Sequence, residues 1–177
     1  MNKLINIKTA SDIPLEYRDT PIEKLLKYHN LNEKFQDYSN AQLLVGMCMD
    51  NRVQLRLPKK FAFVMRDGGA NFQNSEFKIA YALSVARLKY FAIIGHTDCG
   101  MSGLEKRKKP FISGLEEAGW ERGDAEEYFI REAPNSEIHD PIRFTFNEAE
   151  RLSKRFPHIV IAPMIYKVEG DLLYLFK

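Results

Sequence analysis

The chain has 177 residues, 45% of them hydrophobic and 28% charged, which suits one compact domain with a real core and excludes a disordered tail. Its 26 basic and 24 acidic side chains leave a formal net charge of +2, so charge asks for neither nucleic acid nor an anionic membrane as partner. No stretch is apolar for the ~20 residues that a spanning helix needs, and the N-terminal MNKLINIKTASD lacks a signal peptide's apolar region; a cytoplasmic location is expected.

Residues 1–35 read as an N-terminal helical arm and 36–177 as the α/β core of a single domain. Thr20-Pro21-Ile22-Glu23 offers an N-cap, a proline at the first helical position and a capping-box glutamate, which predicts a helix from Pro21 to Leu31. AQLLVGMCMD then reads as a short buried strand ending near Cys48, and FAFVMR (61–66) as a second strand that runs into the turn DGGAN. In that turn Gly68 and Gly69 shape a tight bend, since no phosphate-loop pattern follows them. Phe77, Ala80, Tyr81, Ser84 and Leu88 fit a single face of a helix. YFAIIG is the third strand, the basic run EKRKK is a solvated loop, and the segment from Met101 to Arg131 is helical in part. A helix starting at Asp140-Pro141 precedes IVIAPMIYKV and LLYLF, joined through Glu169-Gly170-Asp171 as a hairpin.

Near-continuously apolar strands alternating with helices predict an α/β fold with a mainly parallel sheet, about four parallel strands plus a C-terminal antiparallel edge strand, flanked by helices. In such sheets ligands sit beyond the carboxyl ends of strands where successive connections leave on opposite faces. The first and third strands are the candidates to flank that crevice, and both end in unusual chemistry.

The first ends in Cys48-Met49-Asp50-Asn51-Arg52, whose alternate spacing lets a thiol, a carboxylate and a guanidinium project from one side. The third ends in His96-Thr97-Asp98-Cys99, with Gly95 and Gly100 allowing close backbone approach. The chain owns only these two cysteines, and in a reducing compartment such thiols serve as ligands, catalysts or core residues sooner than as a disulfide. If the strands are neighbours, two sulfurs and one imidazole converge, and Cys2His is a catalytic zinc set with a fourth position for water or substrate. Asp50 and Arg52 would then act at the metal as an ion pair, and Asp98 serves as a turn-forming carboxylate beside the ligands. His29, His139 and His158 read as surface positions, and Trp120 and the phenylalanines as core or interface.

These residues resemble a known family. CMDNR is similar to the CxDxR signature, and GHTDCGM to the HxxC signature, of the β-class carbonic anhydrases; PMIYKVEGDLL is similar to that family's closing strand pattern. Asp67 and Gly68 stand where the family usually has asparagine and alanine. The resemblance covers residues 40–104 well and 140–175 loosely. It implies a zinc lyase that interconverts carbon dioxide and bicarbonate, with Cys48, His96 and Cys99 as metal ligands, Asp50 and Arg52 as catalytic residues, and Asp50 as a fourth ligand in a closed state. It further implies a homodimer or higher homo-oligomer. Three functions stay open: carbon dioxide hydration, hydrolysis of a linear sulfur analogue such as carbon disulfide or carbonyl sulfide, and non-catalytic zinc binding. A thiol nucleophile built on Cys99 and His96 is a fourth, which leaves Cys48 and Asp50 without a role.

Overall fold

The apolar runs Leu43–Cys48 (β2) and Tyr90–His96 (β4) are neighbouring parallel strands in the computed structural model, which describes residues 3–176. Both are buried along nearly their whole length, because crossovers cover a parallel sheet on both faces and leave neither to water. Ala62–Asp67 (β3) pairs with β2 and Val160–Lys167 (β5) with β4, each in parallel, while Leu172–Phe176 (β6) folds back antiparallel on β5. A short strand, Leu4–Asn6 (β1), adds antiparallel beyond β6, so the C-terminal strand is not the edge. The sheet order is β1-β6-β5-β4-β2-β3.

Pro21–His29 (α1) starts where its cap predicts: Thr20 Oγ1 accepts from the N–H groups of Ile22 and Glu23, and the Glu23 carboxylate reaches the Asp19 N–H. Ile22, Leu25 and Leu26 pack with Val45, Met47, Ala92, Ile94, Leu173 and Leu175 in the larger core cluster. The segment expected as an arm therefore lies against its own sheet, with β1 paired to it. His29, expected at the surface, is only 8% exposed, because its Nδ1 accepts the Arg56 N–H at 3.1 Å and its ring leans on Tyr166. His139 and His158 are exposed.

The opposite face carries Glu76–Val85 (α2) and Pro141–Arg155 (α5), which press Ile79, Leu83, Ala149 and Leu152 onto Leu44, Phe91 and Ile93. The orientation of α2 corrects the expected one. Phe77, Tyr81 and Val85 point away from the sheet at 82%, 60% and 64% exposure, and the buried side is Ile79 and Leu83. Lys108–Glu117 (α3) and Arg122–Ser136 (α4) form a hairpin that packs on itself through Phe111, Trp120, Tyr128 and Phe129. Among the described residues, no helix is long and apolar enough to cross a membrane.

The glycine before His96 is explained by α5. A Cβ on Gly95 would lie 1.9 Å from Thr145 Oγ1, so the helix rests directly on the end of β4. Gly95→Ala is expected to lower stability by about 1–3 kcal/mol, the usual cost of overpacking a tight contact. A urea denaturation midpoint equal to that of the parent chain would contradict the close approach.

Candidate metal centre

Two neighbouring strands that end together bring their C-terminal side chains to one point. Cys48 closes β2, His96 closes β4, and Cys99 follows three residues later on a turn in which Asp98 takes a left-handed φ of 56°. One ligand atom from each of Cys48, His96 and Cys99 lies within 4.8 Å of the others, and all three residues are buried. The two sulfurs are 3.9 Å apart and both thiols are free. Two sulfurs bound tetrahedrally to one zinc at the ordinary bond length sit about 3.8 Å apart, so the spacing fits a shared ion.

The imidazole gives the sharper test of fit. His96 Nδ1 lies 2.9 Å from the carbonyl oxygen of Thr97, which only accepts, so Nδ1 carries the proton and Nε2 holds a bare lone pair. That Nε2 is buried, the residue is 1% exposed, and no hydrogen bond satisfies the nitrogen. A buried acceptor without a donor is costly unless a ligand completes it. A cation among two thiols and this lone pair does so.

Burial alone would lower the pKa of the His96 imidazole, but the neighbouring Cys48 sulfur outweighs it and the net shift is upward. The hydrogen bond from Cys99 is the chief reason the Cys48 thiol is held well below the ordinary thiol range, and the Gly69 N–H adds to it at 3.3 Å from the sulfur. The same pairing, with burial, pushes Cys99 up. A thiol as low as that of Cys48 gives up its proton readily, as a soft divalent cation requires of a ligand.

Asp50 lies just outside this triangle, its Oδ2 3.9 Å from His96 Nε2. Arg52 grips the carboxylate through its guanidinium at 2.8 Å and its backbone N–H at 2.9 Å, and this pairing holds the Asp50 carboxyl down at about 2. Arg52 also reaches the Asp98 carboxylate and carbonyl, each at 2.8 Å, so Asp98 is both a turn residue and the second anchor of the guanidinium. With its carboxylate engaged by Arg52, Asp50 stands apart from the three-residue ligand cluster.

Supporting residues come both from the Asp67-Gly68-Gly69 turn singled out in the sequence and from positions that it did not mark, such as Ile138. Arg66 fixes the turn after β2 by donating to the carbonyls of Cys48 and Val53. Asp67, the unusual carboxylate, is occupied by the Gly68 N–H and the Ser75 hydroxyl. Gly69 sits at φ 66°, and a Cβ there would meet Ile138 at 2.7 Å, so glycine lets its N–H approach the Cys48 sulfur. Ile138, with Met101 and Phe144, walls off the two sulfurs. Around Gly100, by contrast, nothing comes within 4 Å of a Cβ position.

No protein-family model matches the sequence, and no curated protein matches it. Solved structures do match. The β-carbonic anhydrase isoform I of Trichomonas vaginalis aligns with a TM-score of 0.63 over 92% of this chain and 97% of its own, at 15% identity. The carbonic anhydrase of Streptococcus mutans gives 0.60 over 93% and 100%, at 16% identity. The apo form of a carbon disulfide hydrolase gives 0.55 over 89% of each chain, at 23% identity.

Proposed function

We propose that this chain, whose fold is that of the β-class carbonic anhydrases, is a zinc lyase that reversibly hydrates carbon dioxide to bicarbonate and a proton. The observation that carries the reading is the buried Cys48, His96 and Cys99 triangle, with its unsatisfied imidazole nitrogen, beside a carboxylate kept ionised by Arg52. Those three residues would hold the ion, which when bound supplies a Lewis acid able to make water nucleophilic near neutral pH.

The chain's own residues do the rest. An ionised Asp50 accepts a hydrogen bond from the attacking oxygen and aims a lone pair at the linear carbon. A carboxyl held at about 2 does not retain the product proton, so Asp50 orients and does not act as the base. Arg52, anchored on Asp98, keeps that carboxylate charged and in place. Thr97 and Gly69 hold one ligand each, by accepting from the imidazole and donating to the Cys48 sulfur. Free thiols as ligands accord with a cytoplasmic location.

Stopped-flow mixing of zinc-loaded protein with dissolved carbon dioxide tests the reading. Proton release is expected to rise above the uncatalysed rate in proportion to bound zinc; fully zinc-loaded protein that leaves the rate at background overturns it. The carbon disulfide hydrolase among the similar structures supports a second reading, since the same oriented oxygen would attack a linear sulfur analogue. Sulfide release without hydration would select it.

The outward face of α2 bears on the partner. Phe77, Tyr81 and Val85 recur every four residues on it, and the edge strand β3 leaves Phe63 and Val64 about half exposed beside an unpaired backbone edge. An exposed apolar row of this kind on a helix marks an interface, and a second copy related by a twofold axis covers the same row on both chains. Phe77→Asp with Tyr81→Asp is therefore expected to convert a dimer into monomers, halving the mass seen by sedimentation equilibrium. A parent chain that sediments as a monomer rules the dimer out.

A further inference from the structure

The ligand Cys99 stands at the base of a long excursion. The chain leaves its loop at Leu104, runs out through α3 and back through α4, and returns at Glu137. Since α3 and α4 pack on each other through their aromatic side chains, the hairpin is joined to the metal centre chiefly at that base.

The base is closed by hydrogen bonds of which one side chain takes the largest share. Glu137 Oε1 accepts the N–H of Gly103 at 2.8 Å, and Oε2 accepts the N–H of Leu104 at 2.6 Å. Oε1 also accepts the His139 N–H at 2.8 Å, which fixes the carboxylate from its own side. Around it the Ile138 N–H donates to the Met101 carbonyl at 3.1 Å and the Ser102 hydroxyl donates to the His139 carbonyl. Ile138 then packs on both ligand sulfurs, and the Cys99 carbonyl accepts the Ser102 N–H within the clasped loop. A carboxylate that takes three backbone donors while almost buried is a fixed point in the structure, and the side chain is 12% exposed.

We infer that Glu137 is a positioning residue for the metal centre: its carboxylate clasps the base of the α3–α4 hairpin and so holds the Cys99 loop in register with Cys48 and His96. The consequence is local. Without the clasp the N–H groups of Gly103 and Leu104 lose their acceptor and only the bonds of Met101 and Ser102 to Ile138 and His139 still hold the loop, while the sheet that carries Cys48 and His96 keeps its own pairing. This inference rests on the zinc reading for its metal readout and stands without it for its thiol readout.

The test compares the parent chain with Glu137→Ala, Glu137→Gln and a matched control, Asn30→Ala. Asn30 also makes three hydrogen bonds to backbone, with Ile7 and Leu173, and ties α1 to β6 away from the ligands. Each protein is loaded with Co2+, and transfer to excess chelator is followed by loss of the thiolate-to-metal absorption. The metal-free forms are alkylated in parallel, and labelling of Cys99 is read by peptide mass. Glu137→Ala is expected to speed both metal release and Cys99 labelling by about tenfold or more, the scale for losing a group that orients a ligand. Glu137→Gln, which keeps one acceptor oxygen, falls between, and Asn30→Ala stays near the parent in both readouts even where its melting temperature drops as far. Glutamate variants that match the parent in both readouts overturn the inference, as does an equal acceleration in Asn30→Ala. Should Glu137→Ala not fold, Glu137→Gln decides alone. A parent chain that takes up no Co2+ refutes the zinc reading instead, and the labelling comparison still decides the clasp.

Discussion

Cys48→Ala is expected to strip the chain of its metal. Of the three donors that converge within 4.8 Å, it removes the one whose thiol is held well below the ordinary range and which the Gly69 N–H supports. His96 Nε2 and Cys99 remain, and neither chelates alone. If one ligand accounts for about a third of the ~10–16 kcal/mol with which such sites bind zinc, affinity falls on the order of 10³-fold. Metal content after gel filtration should drop from one equivalent to near zero, and hydration should fall to background with it. The sheet should survive, since Cys48 closes β2 and the strand's pairing does not use its side chain. A variant that keeps one equivalent of zinc would mean that the cluster is not the binding site, and would return the cysteines to the core.

How far the sequence discloses this arrangement depends on whether the cause is local. The strands β2 and β4 were legible because burial on both faces demands unbroken apolar runs, whereas their neighbourhood was only a condition in the sequence and is set by the sheet's pairing. With them came Cys48, Asp50, Arg52, His96 and Cys99, all placed by strand ends. The three-residue β1 left no periodic trace, and its existence depends on β6 far along the chain. The helix α2 misled for a physical reason: it is apolar on both sides, with Ile79 and Leu83 facing the sheet and Phe77 and Tyr81 facing out, so no stripe reveals which side is core. His29 is buried by Arg56 and Tyr166, and Ile138 is brought to the sulfurs by the return of α4. Neither carries a signal in its own neighbours.

Asp50→Asn separates catalysis from metal binding. The amide has nearly the shape of the carboxylate, and Asp50 is not among the three donors, so zinc content is expected to stay at one equivalent. What changes is the acceptor. Asparagine carries no charge, presents a single oxygen, and meets the Arg52 guanidinium with an NH2 group that repels it, so the side chain no longer aims a lone pair at the site. Loss of one preorganised group directed at a reacting centre lowers kcat by ~10²- to 10³-fold, or about 3–4 kcal/mol. Asp98→Asn provides the contrast, because it leaves the Arg52 contacts to Asp50 at 2.8 and 2.9 Å and the bond to the residue 98 carbonyl in place and removes only the charge of the second anchor. Its hydration rate should stay within a few fold of the parent. If Asp50→Asn, with full zinc, hydrates carbon dioxide as fast as the parent chain, orientation by this carboxylate is not what drives the reaction. The ion pair with Arg52 would then be only a brace for the turn after β2.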